Sequence, residues 1–325
     1  MKTNIAIIMG GYSSEYKISL QSGQLVYETL DTSKYNAYRV HIFKEKWVVL
    51  NTVNEEFPIN KNDFSVVINN TKITFDCVFN AIHGSPGEDG LMQAYFELLR
   101  IPHTSCNMYQ AALTYNKRDC LSALKPYGIK TAESYYVNLG DPIDEDIIIS
   151  KVGLPCFVKA NRAGSSFGIS KVYKKEDFQH ALKIAFKEDH EVIIESFLDG
   201  IEVSVGVLEY KGKTIVLPIT EIVSDNDFFD YEAKYLGKSQ EITPARISEE
   251  QAETVSALAK KVYSVLKLRG FSRSEFIFKD GEPHLLEVNT VPGLTSASIL
   301  PQQAAKYGIS LNDLFENAIE NTLHK

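Results

Sequence analysis

The order of apolar and polar positions lays out most of the elements. The apolar run NIAIIMG (residues 4–10) ends in Gly10-Gly11, the pattern of a buried strand entering a tight loop. ISLQSGQLVYETL (18–30) then has helical spacing, and YRVHIF (38–43), KWVVL (46–50) and ITFDCVFNAI (73–82) are strand-like. The loop HGSPGE (83–88) leads into DGLMQAYFELL (89–99), a helical pattern. Strands alternating with helices predict a largely parallel α/β sheet over the first third of the chain. From Lys117 the texture changes. LPCFVKA (154–160), ISKVYK (169–174) and HEVIIES (190–196) are strands with one helix, KEDFQHALKIAF (175–186), which predicts a small α+β unit over about 116–197. IEVSVGVLEY (201–210) and KTIVLPITEIV (213–223) follow, then a long polar and aromatic loop (224–245), of the kind that serves as a lid or binding loop. Val255, Leu258, Ala259, Val262, Val265 and Leu266 repeat at helical intervals and predict an amphipathic helix.

The next pattern poses a chemical question. SEFIF (274–278) and PHLLEVN (283–289) flank Asp280-Gly281, a hairpin signal. Alternation puts Arg273 and Glu275 on one face, and likewise Glu287 and Asn289, with Phe276, Phe278, Leu286 and Val288 on the other. Pairing the apolar faces sets Phe276 opposite Leu286, Glu275 opposite Glu287 and Arg273 opposite Asn289. That register predicts an odd loop, Asp280-Gly281-Glu282, because a two-residue loop would bring Glu275 against Leu286 and mix the faces. Two facing glutamates repel. Either they lie on a solvated face or a cation offsets them. An all-oxygen set selects a hard ion, Mg²⁺ or Mn²⁺, over Zn²⁺.

Composition narrows the partners. The chain has 325 residues, 44% hydrophobic and 23% charged, enough for two or three packed units. A formal net charge of −8 with no long basic run argues against nucleic acid as the main ligand. No stretch has the length of a signal h-region or membrane span. Cys77, Cys106, Cys120 and Cys156 lack CxxC spacing, as expected of reduced thiols in a cytoplasmic protein.

Other stretches are open to two readings. KANRAGSSFGISK (159–171) offers Gly164, Ser165, Ser166 and Gly168, whose amides could approach phosphate, or it is an ordinary turn. His83 could donate to a ligand at the carboxyl end of a strand or be a satisfied loop histidine, and Glu88 and Asp89 could cap the next helix. Glu15 in GGYSSEYKISL suits an ammonium group or a helix start. Lys234 and Tyr235 in DYEAKY could act on lid closure or lie in solvent. VPGLTSAS (291–298) could hold an oxyanion or carboxylate through its amides and Ser298, or be a turn and an N-cap.

GGYSSE, HGSPGEDG, FVKANRAGSSFGISKV, FFDYEAKY, ITPA, SRSEF and LEVNTVPGLTSASILP, in this order and spacing, resemble the D-alanine–D-alanine ligases of the ATP-grasp superfamily. The resemblance implies an α/β (partly α+β) three-domain ATP-grasp fold. It has an N-terminal parallel-sheet domain (1–116), a central domain (117–198) and a C-terminal catalytic domain (199–325) with a lid near 223–243. It implies ATP-dependent joining of two D-alanines through an acyl phosphate for peptidoglycan precursors, in a cytoplasmic homodimer, with two Mg²⁺ ions that Mn²⁺ can replace. By position, Glu15 matches the holder of the first ammonium, Ser165 and Tyr235 its links to the lid, and His83 a neighbour of the first substrate. Lys117, Lys159, Ser166 and Lys234 match phosphate contacts. Glu195, Phe197, Leu198 and Glu202 match the adenine and ribose surroundings, and Glu275, Glu287 and Asn289 the magnesium ligands. Arg273 and the Gly293 amide match oxyanion stabilisers, and Ser298 the holder of the second carboxylate. The nearest alternative is a D-alanine–D-lactate or D-alanine–D-serine ligase. Tyr235, where depsipeptide-forming relatives carry histidine, favours an amine as the second nucleophile. The sequence departs from the family at Glu275, where many relatives carry aspartate, at Ala160 in place of proline, expected to loosen that turn, and in PHTSCN (102–107).

Overall fold

The computed structural model describes residues 2–224 and 239–324. Three sheets carry the chain. The first joins β1 (Thr3–Gly10), β2 (Tyr35–Ile42), β3 (Trp47–Leu50), β4 (Glu56–Asn60), β5 (Ser65–Ile68), β6 (Thr71–Ile73) and β7 (Cys77–Asn80) in the order β6-β5-β4-β3-β2-β1-β7. The parallel part expected from the sequence is β2-β1-β7, and β3–β6 extend it as an antiparallel meander. Short hairpin links allow only antiparallel pairing there, whereas the helices α1 (Tyr16–Thr29) and α2 (Leu91–Leu99) flank the parallel strands. After α3 (Met108–Tyr115) and α4 (Lys117–Leu124), the second sheet is antiparallel. It comprises β8 (Ser134–Asn138), β9 (Cys156–Ala160), β10 (Ile169–Val172) and β11 (Glu191–Ser196) in the order β10-β9-β11-β8, with α5 (Glu145–Val152) and α6 (Phe178–Ala185) against it. The third contains β12 (Ile201–Tyr210), β13 (Lys213–Val216), β14 (Thr220–Ser224), β15 (Ser239–Ile242), β16 (Phe271–Lys279) and β17 (Glu282–Asn289). Its order is β15-β14-β12-β16-β17, and β13 pairs with β12. The run 213–223 holds two strands, β13 and β14, separated by Leu217-Pro218-Ile219.

The amphipathic helix is α7 (Glu249–Val265), started by a capping box between Ser248 and Gln251, and its apolar stripe joins Val203, Val205 and Phe276 in one core. Two C-terminal helices, α8 (Ile299–Tyr307) and α9 (Leu311–Leu323), pack on the first sheet as well as the third. Ile5, Ile7 and Phe79 share a core with Leu300, Leu314 and Phe315. The second sheet has its own core around Val158, Phe178 and Ile194.

The hairpin between β16 and β17 corrects the expected turn. Its loop is the two residues Asp280-Gly281, both at positive φ (52° and 80°), the conformation of a type I′ turn, and Lys279 faces Glu282. A bulge then restores the pairing: Phe276 faces Leu285, Leu286 is the extra residue, and Glu275 faces Glu287 with Arg273 facing Asn289. Leu285 takes the buried place expected for Leu286, and Leu286 turns to the polar face. Lys234 and Tyr235, with most of the expected lid, lie outside the described residues.

Candidate active site

Two clefts meet at the polar face of this hairpin. The first, of about 800 Å³, lies between the second and third sheets. It is lined by Lys117, Lys159, Ser166, Glu195, Leu198 and Glu202 together with the apolar Ala132, Phe157, Ile169, Ile277 and Leu286. The second, of about 1120 Å³, opens toward the first sheet and is lined by Glu15, His83, Glu88, Arg273, Asn289, Gly293 and Ser298. Gly164, Ser165, Glu275 and Glu287 line both. Phe197 is not on the wall; its ring packs 6.2 Å from Phe157, which is.

Each facing glutamate has a cation, which answers the question set by the sequence. Arg273 Nη1 donates to Glu275 and, at 3.2 Å, to Ser204 Oγ. Lys117 Nζ lies 3.0 Å from Glu287 and donates to Ala163 O at 2.7 Å. Glu275 and Arg273 are largely enclosed and Glu287 is partly so, which places the pair on a cleft wall rather than an open solvated face. Asn289 Oδ1 accepts from Val291 N–H at 3.0 Å. Among the described residues no group of three or more His, Cys, Asp or Glu is placed to hold a metal ion. The oxygen set here is two carboxylates and the Asn289 amide.

Lys159 Nζ donates to the buried Glu195 at 2.8 Å. Burial alone would lower the Lys159 ammonium, but the Glu195 charge and hydrogen bond outweigh it and hold the group above its ordinary value. The fully buried Asn161 ties the end of β9 to α4, donating to Asn116 Oδ1 (2.8 Å) and accepting from Arg118 N–H (2.9 Å), which sets Lys159 and Lys117 on one cleft. At Ala160, where proline is the family residue, the N–H donates to Gly168 O at 3.2 Å, a bond proline could not make. Ser165 and Ser166 both have positive φ (50° and 59°), an uncommon backbone state concentrated at functional sites.

Ser165 Oγ donates to Glu15 Oε1 at 2.5 Å, joining the central loop to the start of α1. A Cβ on Gly164 would meet Glu15 Oε2 at 2.6 Å, so any larger residue there would push the Glu15 carboxylate from this position. Ser298 is the N-cap residue of α8, and its Oγ lies 2.8 Å from Thr295 Oγ1. His83 is held on both ring nitrogens, by Val291 O and Ser22 Oγ, each at 2.9 Å.

Sequence reasoning missed Ser22, Ile277, Leu286 and Phe157, and offered Glu88 as a possible cap. Ser22 is seven residues after Glu15 on one face of α1, where buried polar residues at helical spacing were the available signal. Glu88 does not cap α2; it turns back to accept from Gly84 N–H at 2.6 Å. Burial first, then the charges of Glu15 and Glu287, push its carboxyl up to about 8. Unfolded, the group ionises near its ordinary 4.5, so native stability linked to Glu88 is complete below that pH and is lost as pH rises toward 8. Glu88→Gln is therefore expected to match the parent's melting temperature at pH 4.5 and exceed it by about 2 °C or more at pH 8.5. Melting curves of the ligand-free protein check this, and an unchanged difference across that range contradicts it.

The chain matches the family models for the D-ala D-ala ligase N-terminus over residues 4–106 and C-terminus over residues 124–320. It is 69% identical over 320 residues to a D-alanine–D-alanine ligase of Flavobacterium johnsoniae, covering 98% of this chain and 99% of that protein. Among solved structures, VanG D-Ala:D-Ser ligase from Enterococcus faecalis is similar at TM-score 0.84 and 32% identity, over 98% of this chain and 99% of that one. The Bacillus anthracis D-alanine–D-alanine ligase complexed with ATP is similar at TM-score 0.80 and 31% identity, over 100% and 98%.

Proposed function

The chain belongs to the D-alanine–D-alanine ligase family, and from that premise we propose that it joins two D-alanines with cleavage of ATP to ADP and phosphate, supplying peptidoglycan precursors. The observation that carries the reading is the meeting of two clefts at Glu275 and Glu287, one suited to a nucleotide and one to small zwitterions. The apolar walls Ile277, Leu286 and Phe157 suit a base, with Glu202 placed for ribose hydroxyls and Glu195 and Leu198 beside them. Lys117, Lys159 and the Ser166 loop take the phosphates, and we assign Lys234 to the same task. Glu275, Glu287 and Asn289 would hold hard divalent ions, Mg²⁺ or Mn²⁺, since all three offer oxygen. When bound, such ions neutralise and orient the β- and γ-phosphates.

At the other cleft, Glu15 holds the ammonium of the first D-alanine, whose carboxylate attacks the γ-phosphorus to give an acyl phosphate. His83 borders that substrate, and Ser165 with Tyr235 closes over it to keep water out. Ser298 holds the second carboxylate, and the second amine attacks the acyl carbonyl. Arg273 and the Gly293 amide receive the oxyanion, and phosphate leaves. The three sheets support functional units at 1–116, 117–198 and 199–325. The same reading expects a cytoplasmic homodimer, which sedimentation of the purified protein tests. Among the described residues no helix is long and apolar enough to cross a membrane.

Mg²⁺-dependent phosphate release, with products identified by mass spectrometry, tests the reaction. D-alanine alone should yield D-alanyl-D-alanine, and L-alanine alone should not react. A mixed product preferred over the dipeptide when D-serine or D-lactate is added would move the chain to the alternative, which the similarity to VanG keeps in view for D-serine.

A further inference from the structure

The turn Val291–Leu294 carries Gly293, which lines the second cleft, and the N-terminal unit grips that turn at both ends. His83 Nδ1 lies 2.9 Å from Val291 O, a carbonyl that can only accept, so Nδ1 carries the proton and Nε2 a lone pair. Ser22 Oγ lies 2.9 Å from that Nε2, so its single hydroxyl hydrogen points there. The same oxygen accepts from Leu294 N–H at 3.2 Å. The bonds form a closed circuit: Leu294 N–H to Ser22, Ser22 O–H to His83, His83 N–H to Val291. Ser22 is fully buried and His83 only 4% exposed, so the bonds between them lie inside the protein rather than in bulk solvent. Burial, with Arg273 nearby, holds the imidazole neutral against the opposing pull of Glu15, as the circuit requires. Gly293 lies close to Ser298: a Cβ added there would meet Ser298 Oγ at 2.7 Å, so the two cleft residues are packed side by side. Glu15 starts α1 and Ser22 lies on the same helix, so one rigid element sets both the ammonium site and the turn of the oxyanion site.

We infer that Ser22 is a positioning residue for the ligation: with His83 it fixes the Val291–Leu294 turn, and through it the Gly293 amide, relative to Glu15. The inference rests on the ligase reading above and assigns Ser22 no contact with substrate.

The test is steady-state kinetics of dipeptide formation by the full chain and its Ser22→Ala, Ser22→Thr, His83→Ala and double-alanine variants. Misplacing a reacting group by about 1 Å costs on the order of 100-fold. Ser22→Ala should therefore lose about 10- to 100-fold in kcat. Its KM for ATP should stay within about twofold, since nucleotide binding is not touched. Ser22→Thr, which returns the hydroxyl, should recover most of the loss. The double variant should be no slower than His83→Ala alone, because both changes break one circuit. Parental kcat in Ser22→Ala, or losses that multiply in the double variant, would overturn the assignment. If Ser22→Ala loses ATP binding as well, Ser22→Cys decides: its thiol nearly keeps the volume but bonds weakly, so full activity overturns the role and a selective kcat loss supports it. Absence of D-alanyl-D-alanine with the unaltered protein would instead refute the ligase reading, and this inference with it.

Discussion

Arg273→Ala is expected to lower kcat about 100- to 1,000-fold, the usual cost of one oxyanion donor. Arg273 is a largely buried cation on the polar face of β16, lining the cleft that also holds Gly293 and Ser298. Burial would lower its guanidinium, but Glu275, by charge and hydrogen bond, raises it, so the group stays charged where an oxyanion would form. The loss should fall on kcat more than on the KM for D-alanine, because charge develops on the carbonyl oxygen only as the second amine attacks. Removal also leaves Glu275 facing Glu287 without its cation. Arg273→Lys separates the two effects: it keeps the positive charge for Glu275 but not the forked donor set. Phosphate release at saturating D-alanine, beside an ATP-binding titration, measures both. Near-parental turnover by Arg273→Ala would remove the residue from the chemistry.

The second large effect is expected at Lys159. Lys159→Met should destabilise the protein by about 3–5 kcal/mol, the cost of stranding one member of a buried ion pair. Glu195 is 2% exposed, and its second carboxylate oxygen already has no partner among the described residues. Adding Glu195→Gln to Lys159→Met should restore much of the stability by removing the stranded charge. It should not restore ATP use, because the ammonium proposed to face phosphate is still gone. Urea unfolding and the KM for ATP report the two halves. A single variant as stable as the parent would show that Glu195 finds another partner or a proton. Restored ATP affinity in the double variant would show that Lys159 acts only through Glu195.

These effects come from residues whose types were plain in the sequence and whose partners were not. The alternation of β16 and β17 put Arg273 with Glu275, and Glu287 with Asn289, before any packing was known, because strand periodicity is a local property of the backbone. The cation for Glu287 comes from Lys117 at the start of α4, far away in the chain, and no local pattern pairs them. The hairpin shows the same division. Asp-Gly signalled the turn, but its two-residue form conflicted with matching faces, and the conflict is resolved by the bulge at Leu286. The bulge buries Leu285 and leaves Leu286 on the wall of the first cleft. Glu88 read as a helix cap because its position suited one, whereas the folded loop turns it inward.

By itself, then, the sequence determined the alternation of elements, the polar face of the β16–β17 hairpin, the glycine- and serine-rich loop and, through seven ordered motifs, the family. Those signals are carried by neighbours in the chain and survive without tertiary context. Only the tertiary structure decided which cation meets which carboxylate, that the first sheet shares a core with the C-terminal helices, and that Ser22 and His83 close a circuit on the Gly293 turn. Apart from Arg273 with Glu275, those contacts join residues far apart in the chain. Their energies depend on burial and hydrogen-bond geometry, which exist only once the layers have packed.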